Sequence, residues 1–346
     1  MSKVSAKRFL LVAVLLIGAN SIVHAANIQI SNKKLCALSL EGPVSKGDAD
    51  QLSAAISQSH INPDDERTGS VCLKSNGGSY AEGMRIAELV FRHGLSTVIE
   101  YGSECYSACA IIFMAGVMPD QIGPMRKLSV GGILGFHAPY LTMPDEKYSK
   151  QQVEDVAQGM RAAILALVRL SSKRTQLHGG EFLKKSLISK ILEKGPADVF
   201  FVKSVSEAAR WDILIYDAAE HFTKPNTIDI AKNVCNNFHY SNMDEPVPPN
   251  TNLSLSVEKY SSRFQKDDAR ILIKNAKTSD TVCELYPRTF RADDQVKFFA
   301  CSYDYWSSKS FGDCREYKTA PAFRVGNFVP DFFEYDPAGL LAKFRN

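Results

Sequence analysis

The chain has 346 residues, 45% of them hydrophobic and 23% charged, with eight cysteines and a formal net charge of +3. Disorder needs low hydrophobicity with high net charge, so it is excluded, and no repeat of fixed period or low-complexity tract appears. The cysteines are too sparse for a disulfide scaffold, and the length leaves room for two domains.

Residues 1–25 read as a secretory signal peptide. Lys3, Lys7 and Arg8 precede an apolar run at 9–18 (FLLVAVLLIG), and Ala25 and Ala26 suit a cleavage site. The run is too short to span a bilayer, and no later apolar stretch reaches the length of a membrane span. Removing three of the 41 basic residues leaves 38, equal to the 38 acidic ones. A neutral mature chain has no electrostatic footprint for nucleic acid. The expected location is periplasmic or secreted, an oxidising compartment without ATP.

The next 200 residues alternate strand and helix patterns. Strands are expected at 35–40, 70–73, 95–99, 133–136 and 213–216, and helices at about 48–59, 79–93, 107–115 and 149–173. This alternation predicts an α/β domain over residues 26–224 with a mostly parallel sheet and flanking helices. Ser79 and Glu82 form a capping-box pattern, and Gly94 suits the position after that helix. The longest helix carries Val153, Val156, Met160, Ile164, Leu167 and Val168 in one apolar stripe, which demands burial.

Residues 225–346 differ in texture. A Pro-rich segment at 244–252 precedes an aromatic-dense stretch, so a smaller, strand-containing C-terminal domain is expected. Cys36, Cys72, Cys105 and Cys109 lie before the boundary, and Cys235, Cys283, Cys301 and Cys314 after it. The even split fits pairing within domains, and Cys301–Cys314 is the favoured pair in the second.

Three segments carry chemistry. Gly77 and Gly78 sit in a strand-to-helix turn, where exposed amides can hold an oxyanion. Ser107 opens a small-residue helix, where the positive helix end favours an alkoxide. His137 ends an apolar strand, where an imidazole can act as a base at neutral pH. Singly, each reads as an ordinary turn, cap or structural histidine.

Taken in order, Ser-Asn-Gly-Gly, a serine opening a helix, and strand-His-Ala-Pro resemble the ClpP/crotonase superfamily. The likeness covers roughly residues 34–220 and is strongest to exported ClpP-like serine proteases with a Cys-x-Ser-Ala-Cys motif, here Cys105 to Cys109. The segment from Asp198 to Ile213 is similar to the family's last helix and strand. The resemblance implies an ATP-independent peptidase. Its nucleophile would be Ser107 and its base His137, with Asp198 as the acid and Glu193 in reserve. The oxyanion hole would be the backbone N–H groups of Gly78 and Ala108. It also implies that the long helix is a handle for self-association. Asn76 replaces the family's proline, and the interval from His137 to Asp198 is long.

The expected partners are a peptide or protein substrate and a second copy of the chain, with no ATPase partner, cofactor or metal. Four alternatives stay open: an inactive ClpP-like binding or scaffolding protein of the cell envelope, a Cys105 or Cys109 nucleophile, a serine–lysine dyad with Lys127, and acyl-CoA chemistry.

Overall fold

A computed structural model describes residues 25–341 apart from 32–34, 60–68, 122, 141–146, 176–181, 196–197, 250, 252, 261–267, 276–280, 290–295, 305–308 and 312–329. Residues 1–24 of the expected signal peptide lie outside the described residues. So do His60, His178 and Cys314, and with Cys314 the expected Cys301–Cys314 bond.

The chain begins β1 (Asn27–Ile30), β2 (Leu38–Glu41), α1 (Asp48–Gln58), β3 (Ser70–Lys74), α2 (Tyr80–Arg92), β4 (Ser96–Ile99), β5 (Glu104–Tyr106), α3 (Ala108–Met114), β6 (Arg126–Leu128), β7 (Ile133–Phe136) and α4 (Lys150–Ser171). It continues α5 (Lys185–Glu193), β8 (Phe200–Phe201), α6 (Val205–Arg210), β9 (Leu214–Ile215), α7 (Ala218–His221) and α8 (Thr227–Met243). The last strands are β10 (Leu253–Tyr260), β11 (Asp268–Asn275), β12 (Thr281–Thr289), β13 (Val296–Asp304) and β14 (Lys309–Phe311).

The fold is mixed α/β. One sheet runs β1-β2-β3-β4-β6-β9 and is parallel except for β1. A small second sheet runs β5-β7-β8, with β5 and β7 parallel. The apolar runs at β2, β3 and β4 are buried almost throughout, as strands covered on both faces should be. All seven residues of α3 are buried, so the helix behind Ser107 is a core element.

β6 was not legible as a strand, because its sequence is Arg-Lys-Leu. Arg126 is nonetheless fully buried. Its guanidinium donates to the carbonyls of Trp211 (3.0 Å) and Phe182 (2.7 Å) and lies 4.5 Å from the Phe182 ring. Burial pushes its pKa down to about 10, with nearby Asp212 acting in the opposite sense.

The Ser79–Glu82 pattern works differently from a capping box. Ser79 Oγ accepts from the Glu82 amide at 3.3 Å, but the Ser79 amide is taken by the Val44 carbonyl at 2.8 Å. The Glu82 carboxylate instead accepts from the Gly47 (3.0 Å) and Ala49 (2.8 Å) amides, which open α1, and pairs with Arg85. One acidic side chain thus caps the neighbouring helix across the fold. Gly94, with φ 64°, ends α2 as expected.

The chain covers the apolar stripe of α4 only in part. Leu167 is fully buried and Val156 and Met160 are half-buried, whereas Val153 is 53% exposed and Val168 is 43% exposed. A capping box of Ser149 and Gln152 holds the exposed N-terminal end.

The C-terminal strands form an antiparallel meander, β10-β11-β12-β13-β14. Helix α8 precedes it, a helix the sequence reading left out. The Cys235–Cys283 disulfide fastens α8 to β12. Asp244, just past α8, accepts from the Ser186 amide at 2.9 Å and pairs with Arg210 at 3.3 Å, tying the two halves together. Two further disulfides, Cys36–Cys72 and Cys105–Cys109, lie in the α/β part. Three disulfides fit an oxidising compartment. Among the described residues no helix is long and apolar enough to cross a membrane.

Burial alone would raise the Glu82 pKa, but the Ala49 and Gly47 amides and Arg85 outweigh it and hold the carboxyl below its ordinary 4.5. A depressed carboxyl stabilises the fold above its unfolded pKa, and that contribution is lost as pH falls through the folded value. Glu82→Gln is therefore expected to cost about 2 kcal/mol at pH 7. The gap from wild type should narrow as pH drops below 4.5, read by urea unfolding across pH 3–7.

Candidate active site

Three strand ends meet at one place. Ser75 follows β3 and pairs with Cys105 of β5: its amide donates to the Glu104 carbonyl at 2.8 Å, and Tyr106 donates back to Ser75 at 3.0 Å. β5 lies beside β7, with Tyr106 opposite Gly135. The residues that leave these parallel strands at their C-terminal ends are the Gly77–Gly78 turn, Ser107 and His137. Ligands of open α/β sheets gather at such ends.

Ser107 is the sharpest feature. It sits between β5 and α3 with φ 55° and ψ −122°, a conformation costing a residue with a Cβ on the order of 1–3 kcal/mol. Its amide donates to the Gly135 carbonyl at 3.1 Å, while its hydroxyl makes no hydrogen bond among the described residues. The expected helix-capping role is absent, since the Ser107 side chain caps nothing. The turn fits only because its neighbours are small. A Cβ on Gly77 would lie 2.6 Å from the Ser107 Cβ and 2.7 Å from the Tyr106 carbonyl oxygen. A Cβ on Gly83 of α2 would lie 2.9 Å from the Ala108 Cβ.

Two amides beside the serine are open. Gly78, with φ 140°, is pressed against Val44, and its own N–H donates to no group among the described residues. Neither does the N–H of Ala108, the first residue of α3. These are the two donors expected from the sequence.

His137 lines the same cavity as Ser107. Its Nδ1 lies 2.8 Å from the Ala138 carbonyl oxygen. A carbonyl can only accept, so Nδ1 carries the proton and a neutral imidazole presents a bare Nε2. The ring also tilts against Tyr140, with centroids 5.2 Å apart. No hydrogen bond joins it to Ser107 Oγ in this conformation.

Neither acid expected from the sequence contacts His137. Asp198 is 64% exposed and pairs with Lys194 at 2.9 Å. Glu193 accepts from Ser189 Oγ at 3.1 Å and pairs with Lys190. The antiparallel pairing of β8 with β7 places Asp198 just before the strand beside His137, but the lysine four residues earlier holds its carboxylate. The orienting partner of the imidazole in this structure is a main-chain carbonyl.

The cavity measures about 930 Å³. Asn76, Gly77 and Gly78 line one side, Met84 and Ile111 its depth, and Met160, Ala163 and Ala166 of α4 the far wall. His137 is the only ionisable imidazole, carboxylate or cationic group on the lining among the described residues. Tyr80 Oη donates to the Ala163 carbonyl at 3.2 Å, and burial pushes the phenol pKa far up, so it stays a neutral donor. Tyr80, Ala138 and the α4 wall were missed in the sequence. Their roles depend on contacts between distant segments, and only the place of Tyr80 directly after the glycine turn was a usable signal.

The other readings of the site fare differently. Cys105 and Cys109 are bonded to each other, which removes them as thiol nucleophiles. Their bridging is feasible because Cys105 lies in β5 and not on the helix. Lys127 lies in the main sheet on β6 and is absent from the cavity lining.

No protein-family profile matches the chain, and no curated protein matches it.

The glycine requirement is testable without any activity. Gly77→Ala puts a Cβ onto the Ser107 turn at a left-handed φ of 90°, and is expected to destabilise by about 1–3 kcal/mol. Gly195→Ala, whose Cβ would meet nothing within 4 Å, should stay within about 0.5 kcal/mol of wild type in the same urea titration.

Proposed function

We propose that the chain is an exported, ATP-independent serine hydrolase of the ClpP/crotonase type that cleaves peptide bonds. The observation that carries this reading is the conformation of Ser107. A serine held at positive φ between a strand and a buried helix, facing a cavity shared with an imidazole, is the arrangement of an exposed nucleophile. Backbone strain of this kind concentrates at functional sites.

In this reading Ser107 Oγ attacks the substrate carbonyl carbon as its proton passes to Nε2 of His137. The Gly78 and Ala108 amides take the oxyanion. Collapse expels the leaving amine, which takes the proton from His137. Water then repeats the sequence on the acyl-enzyme and regenerates the serine. The Ala138 carbonyl holds the required tautomer and, as a dipole, favours the imidazolium that forms. This replaces most of what Asp198 would do in a Ser-His-Asp triad. The uncharged lining supports a neutral, apolar peptide segment as substrate.

A second reading is an inactive ClpP-like binding or scaffolding protein of the cell envelope. Two observations favour it: the missing hydrogen bond between Ser107 and His137, and the engagement of Asp198 with Lys194. In active hydrolases such bonds are often loose before substrate arrives, so they weigh less than the serine conformation.

Covalent labelling with a fluorophosphonate, mapped by mass spectrometry, decides between the readings. The expected result is one adduct on Ser107, lost in Ser107→Ala and slowed at least 100-fold in His137→Ala. Asp198→Asn should change the rate by less than about threefold; a loss like that of His137→Ala would restore the full triad. Wild-type protein that never labels leaves the binding reading.

The exposed stripe of α4 supports self-association as a dimer or trimer, through the helix the family uses as a handle. Sedimentation at micromolar concentration is expected to show an oligomer that Val153→Glu dissociates without loss of helicity.

A further inference from the structure

We propose that the Cys105–Cys109 disulfide is a positioning device for the nucleophile, so that the hydrolase is active only in its oxidised form. The proposal rests on the reading of Ser107 as nucleophile and adds a means of control.

The bond encloses the serine. Cys105 is the central residue of β5, Cys109 the second residue of α3, and Ser107 lies midway between them. The sulfurs bridge the two arms of the turn, with the Cα atoms 5.2 Å apart. Both cysteines are fully buried. Upstream of the serine the chain is well anchored, since β5 pairs with β7 and the Ser107 amide is held by Gly135. Downstream, a single long bond holds the turn, from the Ile111 amide to the Ser107 carbonyl at 3.3 Å, while the Ser107 hydroxyl and the Ala108 amide have no partner among the described residues. A flip of the Ser107–Ala108 peptide would carry the Ser107 ψ from −122° toward the left-handed helical region at unchanged φ, at the cost of the Ile111 bond. It would also turn the Ala108 N–H away from the oxyanion position. The disulfide opposes that rotation covalently.

The other disulfides do not share this geometry. Cys36–Cys72 sits in a separate small cluster with Val98, and Cys235–Cys283 joins α8 to β12. None of the three bonds lines the cavity itself, but Ser107, between Cys105 and Cys109, does. A bond of either kind can stabilise the fold, but only Cys105–Cys109 closes a loop around the reacting residue.

A dithiol reductant opens the bond by two exchanges. One reductant thiolate attacks a cysteine sulfur and forms a mixed disulfide. The second reductant thiol then displaces it, leaving two protein thiols and a cyclic reductant disulfide, with the reductant's two protons transferred to the cysteines. A chain whose cysteines are still reduced would therefore be inactive, and exchange with a disulfide oxidant after export, which takes the two electrons and two protons and leaves as a dithiol, would switch it on.

The test compares Cys105→Ala/Cys109→Ala with Cys36→Ala/Cys72→Ala, using a fluorophosphonate on the full mature chain. The maximal inactivation rate and the half-saturating probe concentration are measured separately, well below each variant's melting temperature. The expected result is at least a tenfold fall in maximal rate for the first variant, with half-saturation changed less than twofold. The second variant should melt earlier but label at the wild-type rate. A purely structural bond would lower the melting temperature of both and the maximal rate of neither, and that outcome overturns the proposal. Should the first variant fail to fold, wild-type protein reduced by dithiothreitol under native conditions serves instead. Full labelling of folded, reduced protein overturns the proposal, and loss that reoxidation reverses supports it. Wild-type protein that never labels overturns the hydrolase reading itself, an outcome distinct from normal labelling without the disulfide.

Discussion

A residue with a Cβ holds φ 55° and ψ −122° only where its surroundings leave no better choice, and the candidate site is organised around that constraint at Ser107. The Gly135 carbonyl fixes the amide on one side. The bare Cα of Gly77 leaves space for the serine Cβ, and Gly83 lets α3 approach α2. The Cys105–Cys109 bond spans the turn. Removing any of these would release a local relaxation, so the small residues, the strand pairing and the disulfide form one mechanical unit.

The rest of the α/β part supplies a rigid base for that unit. α3 is buried along its whole length, and β3 and β7, which feed the site, are buried almost throughout. Two charged groups inside this base are met by main-chain partners, although Arg126 Nε itself has none. Arg126 meets two carbonyls, and Glu82 meets the amides that open α1. Such matching matters because an unpaired polar group in the interior costs more than the bond it could have made. The site itself breaks the pattern. Ser107 and Gly78 line a cavity of about 930 Å³, and the Ser107 hydroxyl and the Gly78 and Ala108 amides have no partner among the described residues.

In the proposed mechanism the role of orienting His137 passes from a side chain to the main chain. A carboxylate is the usual partner of an imidazole base because it both selects the tautomer and stabilises the cation. The Ala138 carbonyl, at 2.8 Å, selects the same tautomer with a dipole in place of a charge. Asp198 meanwhile satisfies Lys194, an exposed pair of little energetic weight. Its carboxylate would therefore exchange partners at small cost, whereas the carbonyl is fixed by the backbone.

The sequence by itself determined the helices and strands with clear apolar period, among them β3, β4, β7, α2 and α4. It also pointed to Gly77, Gly78, Ser107 and His137, because each stands where an apolar run ends and such boundaries are local features of the chain. β6 escaped it, since Arg-Lys-Leu has no strand period, and so did α8. Only the tertiary structure decided that Glu82 caps a different helix, that Cys36 pairs with Cys72, and that α4 leaves part of its stripe uncovered while lending residues to the cavity lining. It likewise set a carbonyl, not Asp198, against the imidazole. The reason is physical. Periodicity and capping act over three or four residues, whereas each of these outcomes depends on the distance and orientation of groups placed by packing, and a linear spacing does not encode them.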